Sequence, residues 1–345
     1  MTGAELLCRA LERQGVTHVF GLPGTQNVPL FEALRNASLH TVVATHELGA
    51  AFMAAGYSRG SGRVGVLTTI PGPGFTYALT GLAEARLDST PILYLVGQPA
   101  RGPGQRFQLQ ALDQAAIAGP LVKARIDVNR GEDFPRAVAE GLGLATSGEP
   151  GPVMIHYDPA LLGAETAPAD APAPSAAPAT AEGVNEALAL LRTARRVVIL
   201  AGQGTMGAHS ELQQLAERLG AAVVSTTSAR GVLPEDHALV LAADLRGAAG
   251  MNELVAASGL VLALGVKFTH NGALGFQLQL PQECLIHVDA SADSLGANYP
   301  GRLLVRADVG HWMRGVLRGL ESPGPDLAWT ADELDHWRTR IEQGS

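Results

Sequence analysis

Short runs of apolar residues recur along the chain and alternate with segments whose apolar residues follow a helical period. In the first half these runs lie at residues 18–22, 41–45, 64–69, 92–97, 121–128 and 153–157. Helical spacing marks segments 4–14, 48–59 and 77–87 before and between them. Continuous apolar strands that alternate with helices are typical of a parallel sheet covered on both faces. The pattern therefore predicts a doubly wound α/β domain.

A segment rich in alanine and proline separates this domain from a second one. Residues 163–182 contain almost no large apolar side chain, so they cannot form a core and are predicted to be a semi-rigid linker. After it the alternation resumes, with strands predicted at 197–200, 221–226, 260–265, 285–289 and 303–305, and helices at 184–193, 208–219 and 248–258. We expect two doubly wound parallel-sheet domains, 1–162 and 183–320, followed by a C-terminal tail at 321–345.

Composition and charge exclude several classes of protein. The 345 residues are 46% hydrophobic, which is enough to form cores and argues against a disordered chain. A net charge of -8 without a basic run argues against a nucleic-acid partner. No apolar stretch approaches the ~20 residues that cross a bilayer, and residues 1–14 lack the apolar core of a signal peptide. Two cysteines cannot form a disulfide framework, which fits a reducing compartment. We expect a cytoplasmic protein that binds neither nucleic acid nor membrane.

Three predicted strands of the first domain end in residues that suit a ligand. The first runs into Gly21-Leu22-Pro23-Gly24, the second into His46-Glu47, and the third into Pro71-Gly72-Pro73-Gly74. The carboxyl ends of an open parallel sheet line one edge, where ligands bind. Glycine lets the backbone approach a ligand closely, and proline stiffens a turn. Two glycine–proline loops and one carboxylate are expected to share this rim, although each loop alone also fits a tight strand–helix turn.

Glu47 opens a predicted helix whose next turn is apolar, and its residue type leaves two interpretations open. At a helix start, the helix dipole favours an ionised carboxylate. In an apolar crevice, burial disfavours the charged form, so that the acid can share a proton with a bound base. The sequence pattern does not choose between them.

The order and spacing of several motifs resemble thiamine-diphosphate (ThDP) enzymes of the acetolactate synthase and benzoylformate decarboxylase group. The motifs are Val19-Phe20-Gly21-Leu22-Pro23-Gly24, His46-Glu47-Leu48-Gly49-Ala50, Thr69-Ile70-Pro71-Gly72-Pro73-Gly74, Leu109-Gln110-Ala111-Leu112-Asp113-Gln114 and Gly151-Pro152-Val153. The likeness covers nearly all of residues 1–160, and residues 183–320 are similar to the central domain of that group. The resemblance implies a ThDP pyrimidine-binding domain followed by a Rossmann-like central domain.

The resemblance implies catalytic roles for Glu47 and Gln110. In the family, the glutamate of this motif bonds N1′ of the cofactor's aminopyrimidine and helps to remove the proton from thiazolium C2, after which the cofactor attacks a 2-oxo acid that loses carbon dioxide. Gln110 matches a glutamine that reaches the active site across a dimer interface in relatives. Besides Glu47, the positions that match the cofactor-binding region are Gly24, Thr25, Pro71, Gly72, Pro73, Gly74 and Tyr77. Tyr77 stands where the family often has asparagine, so we expect a change in substrate choice.

Half of the family's cofactor site has no counterpart in the sequence. Relatives carry a third domain that binds the diphosphate through Mg²⁺ with a Gly-Asp-Gly signature, and these 345 residues contain no Gly-Asp dipeptide. We therefore expect no metal ligand in this chain, and a separate diphosphate-binding subunit that holds Mg²⁺. The resemblance implies a split decarboxylase or carboligase that acts on a small 2-oxo acid as a homo- or hetero-oligomer. A non-catalytic regulatory subunit and a truncated homologue of a synthase remain alternatives.

A second glycine motif, Gly202-Gln203-Gly204-Thr205-Met206-Gly207, has the spacing of a dinucleotide fingerprint between a strand and a helix. The acidic residue that binds the ribose is expected at the end of the next strand, where the chain reads Ser225-Thr226-Thr227. The Asp-Asp-Arg element of FAD-binding relatives is also missing after Leu264-Gly265. We expect neither NAD nor FAD to bind and interpret these glycines as tight strand–helix packing.

Overall fold

The computed structural model describes residues 1–98, 109–170, 183–320 and 328–343. Contacts divide the chain into two units, Met1–Ala177 and Pro178–Ser345. The division falls in the segment predicted as a linker, of which residues 171–182 lie outside the described residues. The beginning of that segment is attached to the first unit, because Glu165 forms an antiparallel bridge with Thr2.

The first unit is built on a six-stranded sheet whose strands all run parallel. In chain order the strands are β1 (His18–Gly21), β2 (His40–Val43), β3 (Gly65–Thr69), β4 (Ile92–Gly97), β5 (Ala124–Val128) and β6 (Val153–Tyr157). They lie across the sheet in the order β2-β1-β3-β4-β6-β5. Each strand overlaps a predicted apolar run, which confirms the predicted doubly wound parallel sheet.

Helices cover both faces of this sheet. They are α1 (Gly3–Arg13), α2 (Val28–Arg35), α3 (Glu47–Ser61), α4 (Pro73–Leu87), α5 (Gln114–Ala118), α6 (Phe134–Thr146) and α7 (Ala160–Gly163). Successive strand residues point to opposite faces, so that Val66 packs with α1, α2 and α6 while the next residue, Leu67, packs with α3 and α4. The two helices that begin at the predicted site, α3 and α4, therefore share one layer.

The start of α4 differs from the prediction. Helical periodicity placed the helix at 77–87 and left residues 71–74 as a loop, whereas α4 begins at Pro73 and includes Gly74 in its first turn. Proline suits the first helical position because its fixed φ is already helical and no N–H is wasted there. The predicted glycine–proline loop is therefore half turn and half helix.

The second unit contains another six-stranded sheet with parallel strands. Its strands are β7 (Val197–Ala201), β8 (Ala222–Ser225), β9 (Val240–Ala242), β10 (Leu260–Leu264), β11 (Leu285–Asp289) and β12 (Leu303–Arg306). The order β12-β11-β10-β7-β8-β9 is that of a Rossmann-type sheet, which confirms the predicted class. The strand β9 was not predicted, because three residues with an irregular register to β8 are too short to show a period.

Five helices are described around this second sheet, namely α8 (Val184–Leu191), α9 (His209–Leu219), α10 (Ala248–Ala257), α11 (Val309–Gly319) and α12 (Ala331–Gln343). The helix α12 lies in the predicted C-terminal tail, yet Leu334 and Ile341 are buried in the same apolar cluster as α10. Trp329, just before it, donates its indole N–H to the Val197 carbonyl at 2.8 Å. The described part of the tail is thus integral to the second unit. No helix among the described residues is long and apolar enough to span a membrane.

Candidate functional site

The first sheet changes its direction of winding between β1 and β3. The strand β2 lies on one side of β1, while β3, β4, β6 and β5 follow on the other side. Loops that leave the two central strands therefore diverge at the carboxyl edge, and open α/β sheets bind their ligands in the crevice formed there. Both glycine–proline segments singled out by the sequence leave the sheet at this point, where Gly21 of β1 is in register with Thr68 of β3.

The loop after β1 is closed by a side-chain amide. Asn27 is 2% exposed; its Oδ1 accepts the Gly24 N–H at 2.7 Å, and its Nδ2 donates to the Leu22 carbonyl at 3.0 Å. A Cβ atom on Gly24 would lie 2.6 Å from Cγ2 of Ile70, so a larger residue would push the loops after β1 and β3 apart. Thr25 is exposed beside this contact. The structure thus places both predicted residues of this loop at the crevice.

The segment after β3 turns sharply at Gly72 and then enters α4. Gly72 has φ of 65° and ψ of -113°, a conformation that suits glycine alone. Pro71 before it is buried, and Pro73 after it is exposed at the start of the helix. Tyr77, one turn later, is 53% exposed, and its ring centroid is 4.9 Å from that of His46. The loop after β1 is one wall of the crevice, and these predicted residues form the second wall and its exposed rim.

Glu47 is the first residue of α3, and its carboxyl group lies against the start of α4. His46 caps the helix, because its Nδ1 accepts the Leu48 N–H at 3.1 Å. A Cβ atom on Gly74 would lie 3.1 Å from Oε1 of Glu47. The Glu47 side chain is half-buried, and within the part of the chain that the structure describes no hydrogen bond or ion pair engages it. Both interpretations left open by the sequence meet here, a helix-start carboxylate and a sheltered acid.

Gln110 connects the two walls of the crevice. Its backbone has φ of 61°, and its Cβ would lie 2.9 Å from a Cβ atom placed on Gly72. Its Oε1 accepts the Nε2–H of Gln26, in the loop after β1, at 2.6 Å. The structure therefore brings Gln110 to the same crevice as Glu47 within one chain. Its predicted reach across a dimer interface stays a prediction.

A pair of buried hydroxyl groups joins the end of β3, just before the turn at Gly72, to the neighbouring strand β4. Thr69 Oγ1 and Tyr94 Oη are 2.6 Å apart, and both side chains are fully buried. Burial raises the pKa of Tyr94 far above its ordinary value, and the nearby negative charge of Glu47 acts in the same direction. Tyr94 therefore stays neutral and contributes packing and a hydrogen bond rather than acid–base chemistry.

Sequence reasoning gave no role to three polar residues of the crevice, which are Gln26, Asn27 and Gln114, although Gln114 stands in one of the motifs that carry the resemblance. Asn27 carries a local signal, because an asparagine a few residues from a turn glycine readily bonds the turn's backbone. Gln114 carries none, since its Oε1 accepts the N–H of Gly72, which lies 42 residues away in the chain, at 2.9 Å. Only the folded chain brings that pair together.

The glycine motif of the second unit serves backbone packing. A Cβ atom on Gly202 would overlap the carbonyl oxygen of Gly265, and one on Gly204 would lie 2.8 Å from the Gly265 Cα. The Gly204 N–H also donates to the Gly265 carbonyl at 3.3 Å. These contacts join the loops after β7 and β10 at the switch point of the second sheet, where a dinucleotide would need access. They support the packing interpretation, while the expected lack of NAD and FAD binding stays a prediction.

The crevice of the first unit combines a carboxylate that has no hydrogen-bond partner among the described residues with two turns that contain glycine. The carboxylate lies at a helix N-terminus. A carboxylate in this setting accepts a hydrogen bond from a protonated nitrogen base, and the turn glycines let Ile70 and Gln110 pack close to the backbone beside it. Over residues 1–98, 109–170, 183–320 and 328–343, no group of three or more histidine, cysteine, aspartate or glutamate side chains is placed to hold a metal ion. The arrangement therefore suits a heterocycle.

Two family models match the chain. One, described as the N-terminal TPP binding domain of thiamine pyrophosphate enzymes, matches residues 1–117, and one described as the central domain of thiamine pyrophosphate enzymes matches residues 184–316. The first match includes Glu47, Gln110 and both glycine turns, and the second covers all six strands of the Rossmann-type sheet. The matches confirm the resemblance predicted from the motifs.

Several relatives match nearly the whole chain at about one-third identity. A probable acetolactate synthase large subunit from Methanocaldococcus jannaschii is 31% identical over 353 residues, covering 99% of this chain and 59% of the relative. The acetolactate synthase isozyme 1 large subunit of Escherichia coli is 32% identical over 314 residues, covering 89% and 56%. A probable 2-ketoarginine decarboxylase from Pseudomonas aeruginosa is 31% identical over 348 residues, covering 99% and 62%. The chain thus spans less than two thirds of the length of each of these three relatives.

Proposed function

We propose a function for this chain, which belongs to the thiamine pyrophosphate enzymes of the acetolactate synthase group. In our proposal the chain supplies the pyrimidine-binding side of a ThDP site and acts as one component of a 2-oxo acid decarboxylase or carboligase. The observation that carries this proposal is the position of Glu47, a half-buried carboxylate without a partner in the described chain, at the switch-point crevice.

The residues of the crevice fit the aminopyrimidine of ThDP. The unengaged Glu47 carboxylate suits a ring nitrogen that gains a proton, because such a hydrogen bond is assisted by charge. A Cβ atom at Gly24, Gly72 or Gly74 would meet Ile70, Gln110 or Glu47, so these glycines let the loops of the crevice pack closely. Pro71 and Pro73 stiffen the turn on either side of Gly72. When bound, ThDP supplies the electron sink that stabilises the carbanion of the substrate.

The chain's own residues have distinct tasks in this proposal. Glu47, the first residue of α3, shares a proton between a carboxylate oxygen and the pyrimidine nitrogen. Gln110, kept beside Gly72 and hydrogen-bonded to Gln26, orients the reacting groups. Thr25 and Tyr77 border the accessible side, where the 2-oxo acid enters. Tyr77 is a source of substrate choice, because an aromatic ring fills more of that entrance than a small amide.

A separate subunit holds the diphosphate and its Mg²⁺ in this proposal. The proposal takes account of the fact that this chain spans 59%, 56% and 62% of the lengths of three relatives. The resemblance implies a Gly-Asp-Gly signature for the domain that holds Mg²⁺, and these 345 residues contain no Gly-Asp dipeptide. The partner is therefore a polypeptide that carries the Gly-Asp-Gly signature.

An exposed apolar stripe on α3 offers a surface for that subunit. The stripe is one helix face and consists of Gly49, Phe52, Met53, Gly56 and Gly60. Its two large side chains are 45% and 46% exposed, and a Cβ atom on any of its three glycines would meet nothing within 4 Å. Apolar patches of this kind mark contact surfaces, and the same helix begins with the proposed catalytic glutamate. A subunit seated on the stripe would therefore reach the crevice.

Charged substitutions on the stripe are expected to abolish partner binding while the chain stays folded. We expect Phe52→Asp together with Met53→Asp to weaken binding of the diphosphate-binding polypeptide at least ~100-fold, because an apolar interface does not repay the loss of hydration of two carboxylates. Titration calorimetry with the purified polypeptide measures this. Met206→Asp is the matched control, since Met206 lies in the second unit and is 41% exposed. Equal binding by both proteins would contradict the assignment of the surface.

Calorimetric titration with ThDP and Mg²⁺ tests the proposed function itself. We expect no tight binding by the chain alone, and binding with release of carbon dioxide from a 2-oxo acid, pyruvate as the first probe, once the diphosphate-binding polypeptide is present. Tight binding and turnover by the chain alone would contradict the split arrangement. A stable complex that binds no ThDP would instead support the non-catalytic regulatory alternative.

The remaining parts of the proposal concern domain limits and location. We propose a pyrimidine-binding domain at 1–162, a linker at 163–182, a central domain at 183–320 and a tail at 321–345, within a homo- or hetero-oligomer. We also propose a cytoplasmic location, supported by two free thiols. One of them, Cys8, belongs to the core, and burial raises its pKa to about 12.

A further inference from the structure

The two glycine turns of the crevice are each held by one buried side-chain amide. Asn27 is 2% exposed and Gln114 is fully buried. The oxygen of each amide accepts the N–H of the turn glycine, at 2.7 Å for Gly24 and 2.9 Å for Gly72. The nitrogen of each amide donates to a backbone carbonyl. Asn27 donates at 3.0 Å to Leu22, which follows β1, and Gln114 donates at 2.8 Å to Gly97, the last residue of β4. Two distant parts of the sequence therefore fix a glycine turn with the same pattern of amide hydrogen bonds.

A second contact orients the amide of Gln114. Its Nε2 lies 3.3 Å from Nε2 of His156, whose Nδ1 lies 3.2 Å from a carboxylate oxygen of Asp127. Burial lowers the pKa of His156, so its ring is neutral at pH 7. The proton on Nδ1 then faces Asp127, and Nε2 accepts from Gln114. The amide nitrogen thus meets two acceptors and the amide oxygen meets one donor, which leaves one favourable orientation of the amide.

The turn held by Gln114 contacts both proposed catalytic residues. Gln110 packs against Gly72 itself, with its Cβ 2.9 Å from a Cβ atom placed there. Two residues further on, Gly74 lies against the carboxylate of Glu47. Gly72 is buried and has a backbone conformation that only glycine adopts readily. Loss of the acceptor would leave its buried N–H without a hydrogen bond, which destabilises this conformation of the turn. A shift of the turn therefore displaces both functional groups.

We propose that Asn27 and Gln114 are positioning residues that preorganise the two walls of the crevice. Asn27 holds the wall that contains Gly24 and contacts Ile70, and Gln114 holds the wall that contains Gly72. Neither side chain touches the substrate in this proposal, because both are buried beneath the turns. The catalytic consequence rests on the proposed function, whereas the order of the two turns is a property of the chain by itself.

Amide hydrogen exchange of the isolated chain tests the preorganisation. We expect Gln114→Leu to speed exchange in the segment 70–76, and Asn27→Leu to speed it in the segment 22–28, each about tenfold or more. Asn252→Leu is the matched control, because Asn252 in the second unit also accepts one backbone N–H, at 2.8 Å, and donates to one carbonyl, at 3.0 Å. The control is expected to leave amide exchange in both segments unchanged.

A conservative variant separates a positioning role from general stability. Gln114→Glu retains an oxygen acceptor for the Gly72 N–H but loses the donor to the Gly97 carbonyl, so exchange in segment 70–76 should be clearly slower than in Gln114→Leu and still faster than in the wild type. The new carboxylate also raises the pKa of His156, which an NMR titration of the imidazole detects. In the complex with the diphosphate-binding polypeptide, we expect Gln114→Leu to lower kcat at least about tenfold with KM for the 2-oxo acid within about threefold.

The possible results decide the inference in either direction. Faster exchange confined to the expected segments, together with partial recovery in Gln114→Glu, supports it. Exchange in segment 70–76 that is the same in Gln114→Leu and Asn252→Leu would overturn it. The exchange measurement needs neither cofactor nor partner. If the wild-type complex binds no ThDP, the proposed function fails, while the positioning of the turns is still decided by exchange.

Discussion

Replacement of Glu47 by glutamine is expected to abolish exchange of the ThDP C2 proton in the assembled complex. Glutamine has the same shape but cannot hold and share a proton, and acid–base groups of this kind contribute at least about 100-fold to a rate. The loss should therefore be at least about 100-fold, measured by NMR as the exchange rate of the C2 proton into deuterated water. The fold should be unaffected, since no side chain of the described residues depends on this carboxylate for a hydrogen bond.

The matched control for this variant is Glu84→Gln. Glu84 is a carboxylate on α4 of the same unit, but it is exposed to solvent. We expect its replacement to leave the exchange rate within about twofold of the wild type, as for surface changes that touch no reacting group. If Glu47→Gln retained the wild-type exchange rate in a complex that binds ThDP, the catalytic assignment would be wrong.

Replacement of Gly81 by valine is expected to produce the largest loss of stability. Gly81 is buried on α4, where a Cβ atom would lie 2.5 Å from the Cβ of Ala51 on α3. A branched side chain must separate these two helices, and overpacking of this kind costs about 3 kcal/mol. For a unit of this size the corresponding fall in unfolding temperature is about 6–12 °C, which differential scanning calorimetry measures.

Gly56→Val is the control that isolates this contact. Gly56 is also a glycine within a helix of the same layer, but a Cβ atom there meets nothing within 4 Å. We expect its unfolding temperature to stay within about 2 °C of the wild type, because valine slightly improves on glycine in a helix. The same unfolding temperature for the two variants would show that α3 and α4 are not as closely packed as described.

The sheet strands could be predicted because burial on both faces leaves a plain record in the sequence. A strand such as β4, Ile92–Gly97, is buried along its whole length and so reads as an uninterrupted apolar run. The helix α6 was not predicted. Its interior contains Gly141, where a Cβ atom would lie 2.7 Å from Cδ1 of Leu93, so close packing on the sheet requires a residue that disfavours helix. Tertiary packing there overrides local propensity.

The candidate site shows the same division. Glu47, Gly24 and Gly72 could be selected because strand ends of a parallel sheet meet at one edge and because their motifs resemble a known family. The amide of Gln114 could not, since nothing near residue 114 indicates a contact with the turn at Gly72. The bond between Gln26 and Gln110 was equally hidden, because its partners are 84 residues apart.

The amino-acid order alone determined the α/β class, the two sheets and the family, because periodicity and local motifs are properties of neighbouring residues. Only the folded chain shows which side chains hold the crevice and how close Gly74 lies to the Glu47 carboxylate. It also shows that the backbone of Gly265 fills the space beside Gly202 and Gly204. These contacts join residues far apart in the chain, and their distances depend on the order of strands across each sheet. That order is set by the packing of whole layers, and it cannot be read from any single segment of the sequence.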